Sequence, residues 1–117
     1  METKRIEELT HEWETTTWQV IELKEVDVSK LQKLFLETYS VLGEFRNNSL
    51  VPKEISSLLL EMHDFSWWVS DLEETPLHRI YQTLVSLVAD LTQFFLTDDY
   101  KTNAIEKLIL GLGNHSK

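Results

Sequence analysis

The chain has no cysteine in its 117 residues, which excludes disulfide staples, thiolate metal ligation and thiol catalysis. Three glycines and two prolines leave few positions that could interrupt a long helix. No window approaches the roughly 18 apolar residues of a membrane span. The charged start Met1-Glu2-Thr3-Lys4-Arg5 has no apolar run behind it that could serve as a secretory leader. The expectation is therefore a soluble, cytoplasmic chain forming one domain over residues 1–117. Bases are scarce as well, with eleven lysines and arginines against twenty acids and a net charge of −9. That sign is wrong for tracking phosphates or an anionic bilayer, so neither nucleic acid nor membrane is expected as a partner.

The acids are spread unevenly. Residues 54–99 carry nine of them against the single base Arg79, whereas residues 28–53 carry four bases against two acids. A basic protein partner fits this distribution, although acidity kept only for solubility would look the same.

At 42% hydrophobic residues the chain has enough apolar material for a core, and its spacing is helical. Leu31, Leu34, Phe35, Leu42 and Phe45 recur on one face behind Ser29-Lys30-Leu31-Gln32, which has capping-box spacing. Arg46-Asn47-Asn48-Ser49 supplies turn chemistry, and Pro52 suits the first turn of the next helix. Ile55, Leu58, Leu59, Met62, Phe65, Val69 and Leu72 mark that helix. Thr75-Pro76 opens another, carrying Leu77, Ile80, Leu84, Leu87, Val88, Leu91 and Phe95. A last short helix follows Thr97-Asp98-Asp99, with Ile105, Leu108, Ile109 and Leu112 inward and Gly111 or Gly113 near its stop.

The first segment is less plain. Ile6, Leu9, Trp13 and Val20 keep helical phase, but Thr15-Thr16-Thr17 is a β-branched run that propensity disfavours in a helix. An extended segment over residues 15–26 would have no second strand to pair with, so a helix is expected there, with the threonines as the one place where it could break. If the helix continues, Trp18 points opposite Trp13, so it is either a second contact or a sign that the helix breaks. The fold class these patterns give is all-α: an antiparallel bundle of four main helices plus a short C-terminal helix, with short links making consecutive helices neighbours.

Chemistry is hard to find. Glu8-x-x-His11 has the spacing of one half-site in helical di-iron bundles, but no second Glu-x-x-His accompanies it. His63 points about 100° or more from both Glu61 and Asp64 on a helix, and Glu74 and His78 straddle Pro76. His115 lies in the tail. There is no Gly-x-Ser-x-Gly elbow and no phosphate loop. No enzyme activity, cofactor or metal is expected.

The unusual feature is the outer face of the helix near residues 52–73. Its inward residues fill an arc of about 140°, and Leu60 and Trp67 fall outside it, within about 20° of each other. Glu61, Asp64 and Asp71 occupy neighbouring angles, and Trp68 stands at the boundary beside Glu61. Protein-binding surfaces tend to combine an aromatic anchor with a charged rim. Leu60 and Trp67 could equally face another helix of the bundle. The candidate partner-binding residues are Leu60, Glu61, Asp64, Trp67, Trp68 and Asp71. The function expected is non-catalytic protein binding, most specifically an acidic inhibitor or immunity-type protein that occludes a basic toxin or nuclease. Two alternatives stand beside it: a self-associating regulatory or structural protein, and a small metalloenzyme using His11, His63 or His78.

Overall fold

The computed structural model describes residues 2–23, 27–46, 48, 50–71, 79–97 and 102–113. They form five helices: α1 Glu2–Leu23, α2 Val28–Phe45, α3 Glu54–Ser70, α4 Tyr81–Leu96 and α5 Thr102–Gly111. The architecture is the all-α bundle of four main helices and a short fifth. The expected helix starts at Thr75-Pro76 and Thr97-Asp98-Asp99, and the inward Leu72 and Leu77, fall wholly or partly outside the described residues.

α1 is unbroken through its threonines. Thr17 is buried and its hydroxyl donates to the Trp13 carbonyl at 2.8 Å, one turn back, as Thr10 does to Ile6. Hydroxyls satisfied within the helix leave the β-branched methyls free to pack, and burial outweighs a propensity cost of about 0.5 kcal/mol per residue. Trp13 lies where α1, α2 and α3 meet. Its ring is fully buried, edge-on to Phe35 at 5.1 Å and to Phe65 at 5.2 Å between centroids. Its indole N–H donates to Thr38 Oγ1 at 2.9 Å, and that hydroxyl donates to the Leu34 carbonyl. A buried polar relay is thus fully paired, which its low-dielectric setting requires.

Helix directions follow from cross-links. Arg5 pairs with Glu44 while Trp13 reaches Thr38, so α1 and α2 run antiparallel. Arg46, just past α2, bonds the Thr97 carbonyl just past α4, so these two helices end together. The link 47–53, turned at Asn48 onto Phe45 and at Ile55 onto Pro52, is too short to travel the roughly 27 Å length of α2. α3 therefore starts at that same end and runs parallel to α1.

The neighbours differ from the expectation that all consecutive helices pack side by side. α1 packs most extensively on α3, which packs on α4, while α2 packs on α1, α4 and α5. α2 and α3 sit across the bundle from each other. α5 lies over α2 and α4, so that flank is covered. The opposite flank, made by the outer sides of α1 and α3, has no helix over it among the described residues.

α2 fastens the covered flank. Its N-cap is Asp27, whose side chain accepts from the Ser29 amide at 2.8 Å, so the box expected from Ser29 and Gln32 does not form. Gln32 Nε2 instead donates to the carbonyls of Ile109 and Leu110, both at 3.0 Å, at the end of α5. Arg46 donates from Nε and Nη2 to the Thr97 carbonyl, at 3.1 and 2.9 Å, with its guanidinium 4.4 Å above the Phe94 ring. Both side chains satisfy carbonyls that a helix end leaves unpaired, and Arg46 also brings positive charge to the negative end of α4.

Candidate partner-binding face

The core side of α3 holds Ile55, Leu58, Met62, Phe65 and Val69, all buried. On one side of that stripe His63 meets Thr92 of α4, its Nε2 2.9 Å from the hydroxyl. On the other, Glu61 lies within the electrostatic reach of Glu14 of α1. With both flanks of α3 assigned to neighbours, the sector opposite the core must face outward. Leu60 and Trp67 occupy it, 71% and 70% exposed. They do not pack against another helix, which resolves the two possibilities left open by the spacing.

The six candidate residues form two strips along α3. Leu60, Asp64, Trp67 and the C-cap residue Asp71 are exposed on the outward ridge, while Glu61 and Trp68 border the seam with α1. Trp68 is 36% exposed. The carboxyl of Glu61 is held above the ordinary carboxylate range, first by burial and then by the like charges of Glu14 and Asp64. No base answers these acids locally: α3 contains no lysine or arginine, and α1 contains none after Arg5.

Trp18 belongs to the same flank. Because α1 is continuous, Trp18 stands one turn beyond Glu14 and about 40° further outward, 57% exposed. Counting from the Trp13–Phe65 contact along two parallel helices places Trp18 and Trp68 within about 3 Å of the same level. Three of the four tryptophans therefore lie on one flank towards one end of the bundle. Among the described residues, none of the three indole N–H groups has a hydrogen-bond partner, and none of the three rings contacts another ring. The signal for Trp18 was its position five residues after a core tryptophan, off the apolar phase.

The histidines do not assemble. His11 is exposed on α1, His63 is engaged with Thr92, and His78 lies outside the described residues. Among the described residues no three of histidine, aspartate or glutamate are placed to hold a metal ion. A groove of about 330 Å³ opens between α1 and α2, lined by Glu12 and Glu37 together with Lys30 and Lys33. The Glu12 carboxyl is raised, first by burial and then by Glu37 and Glu8, with Lys33 and His11 opposing. Its walls carry both signs, unlike the flank of α1 and α3. The chain matches no protein-family model, and no curated protein or solved structure shows significant similarity to it.

Proposed function

We propose that this protein is a non-catalytic binding module that receives a basic protein on the flank formed by α1 and α3. The observation that carries this reading is the exposure of Leu60 and Trp67 beside Asp64 and Asp71, on a helix without lysine or arginine. Large exposed apolar side chains gathered at one place are unusual on a monomer, and tryptophan is the residue most enriched at binding hot spots. The acids would speed encounter with a positively charged surface, and the indoles would hold the complex once water is excluded. An inhibitor or immunity-type protein that occludes a basic toxin or nuclease is the most specific form of this reading. Self-association through the same face is opposed by charge, because each copy would bring Glu61, Asp64 and Asp71 against its like.

Affinity capture from the native host tests the reading, comparing wild type with a folded Leu60→Ser/Trp67→Ser/Asp71→Lys variant. The expected result is a basic protein that binds wild type directly when purified, at least about tenfold more weakly to the variant. Its affinity should fall with added salt. A partner held equally by both proteins would overturn the choice of face, and an acidic partner would overturn the charge argument.

A further inference from the structure

Away from that flank, we infer that the groove between α1 and α2 is a binding site for a short zwitterion, a dipeptide or an ω-amino acid. The ligand's carboxylate lies on Lys30 and Lys33, and its ammonium on Glu12 and Glu37. The groove measures about 330 Å³, at the low end of the range for small-molecule sites, which suits a ligand of this size.

The polar side chains that line it are without partners. Among the described residues, Glu12, Lys30, Lys33 and Glu37 make no ion pair and no hydrogen bond, although Lys33 and Glu37 stand one turn apart on α2. Thr15 and Thr16 likewise make no side-chain hydrogen bond, whereas Thr10 and Thr17 of the same helix donate to carbonyls one turn back. The charges are also sorted by end. Glu12 and Glu37 each precede a partner of the 2.9 Å hydrogen bond between Trp13 and Thr38, which sets them at one level. Because α1 and α2 run antiparallel, Thr15 and Thr16 on one wall and Lys30 and Lys33 on the other lie towards the opposite end. Repulsion from Glu37 adds to burial in raising the Glu12 carboxyl, and an ammonium at that end would relieve it.

The occupant follows from this sorting. Two lysines oppose two glutamates, so an ion of one sign is attracted at one end and repelled at the other. A zwitterion meets an opposite charge at both ends, through charge-assisted hydrogen bonds. Two extended residues span about 7 Å, comparable with the roughly 6 Å between Lys33 and Glu37 along α2. Buried Leu34 lies in the lining and offers the ligand's stem an apolar surface. The hydroxyls of Thr15 and Thr16 can pair with a peptide group in that stem. A wholly apolar ligand would leave the charged groups desolvated and unpaired.

The test titrates the ¹⁵N-labelled full chain at low salt with glycylglycine and with 5-aminopentanoate, which carries the same two charges on a methylene stem. Glutarate and 1,5-diaminopentane, built on the same five-carbon chain, carry two negative and two positive charges. The expected result is saturable movement of backbone amides in residues 12–16 and 30–37 with the zwitterions. Affinity for glutarate and for the diamine should be at least about tenfold weaker, since each sets one charged end against its like. Tighter binding of glycylglycine assigns a peptide, tighter binding of 5-aminopentanoate an amino acid, and equal binding recognition by the charges alone; each supports the site. Lys33 is exposed and Glu37 half-buried, so Lys33→Gln and Glu37→Gln should keep the fold, as circular dichroism would report. Each should weaken zwitterion binding at least about threefold, while Trp67→Ala should leave it unchanged. Absence of saturable movement, equal affinity for glutarate or the diamine, or binding unaffected by both glutamine variants would overturn the site.

Discussion

The two flanks of the bundle are built on opposite principles. Where α2 and α4 meet α5, side chains from one helix end on the free carbonyls of another: Gln32 on Ile109 and Leu110, Arg46 on Thr97. Where α1 meets α3 the inner surface is as well packed, but among the described residues the outer surface ends in indoles without hydrogen-bond partners and carboxylates without ion-pair partners. The covered flank turns polar side chains inward onto helix ends, while aliphatic Leu96, Leu108 and Leu110 stay exposed on it. The other flank sets exposed indoles among carboxylates, which is why the proposed function is placed there.

The largest stability effect is expected at the core tryptophan. Trp13→Ala should cost about 3–5 kcal/mol, through a large cavity and the loss of the Thr38 bond. Trp67→Ala should change stability by no more than about 0.5 kcal/mol. Denaturant titration of both variants checks this, and similar losses would mean that Trp67 is structural. Next in size are the ties of the covered flank. Arg46→Ala should cost about 1–2 kcal/mol, through a charge-assisted bond to a helix end and the contact with Phe94. Gln32→Ala should cost about 1 kcal/mol, and hydrogen exchange should accelerate first in α5.

Two alterations should act in the other direction or hardly at all. Glu61→Gln removes a carboxylate that the fold holds above its ordinary pKa. Such a group loses folding stability as pH rises from its unfolded towards its folded value, and the loss persists at neutral pH. The variant should therefore be slightly more stable than wild type at pH 7, and the difference should vanish as the pH falls below the ordinary carboxylate range. Thermal melts across that window check the sign. The smallest effect belongs to Arg5→Ala, because an exposed 3.0 Å ion pair with Glu44 contributes about 0–1 kcal/mol and is screened by salt.

Much of the fold was legible because apolar spacing reports burial directly. The inward residues Leu31, Leu34, Phe35, Leu42 and Phe45 of α2, and all of those on α3 from Ile55 to Val69 except the half-buried Leu59, follow from period alone. Spacing failed where two positions satisfied it equally. Phe94 and Phe95 both lie on the wide apolar arc of α4, and Phe94 is the more buried because Tyr39 and Arg46 of the α2 segment meet its ring. Leu108 fits the stripe of α5 yet is 39% exposed, since a short helix lying over two others has too narrow a contact to bury four positions. The box at Ser29 and Gln32 was a local pattern overruled by a tertiary one, with Asp27 taking the cap and Gln32 freed for α5. Propensity over Thr15-Thr16-Thr17 likewise yielded to packing. The outward position of Leu60 and Trp67 was legible only as one of two choices, because one helix's periodicity does not say how many neighbours surround it. Trp18 joined the flank only once α1 proved continuous.

The most direct test of the difference between the flanks is site-specific photocrosslinking in the native host. A benzoylphenylalanine replaces Trp67 on the open flank in one variant and the exposed Leu110 of α5 on the covered flank in another. A discrete adduct with a basic protein from position 67, absent from position 110, is the predicted result. Adducts from position 110 alone, or a position-67 adduct consisting only of a second copy of this chain, would contradict it.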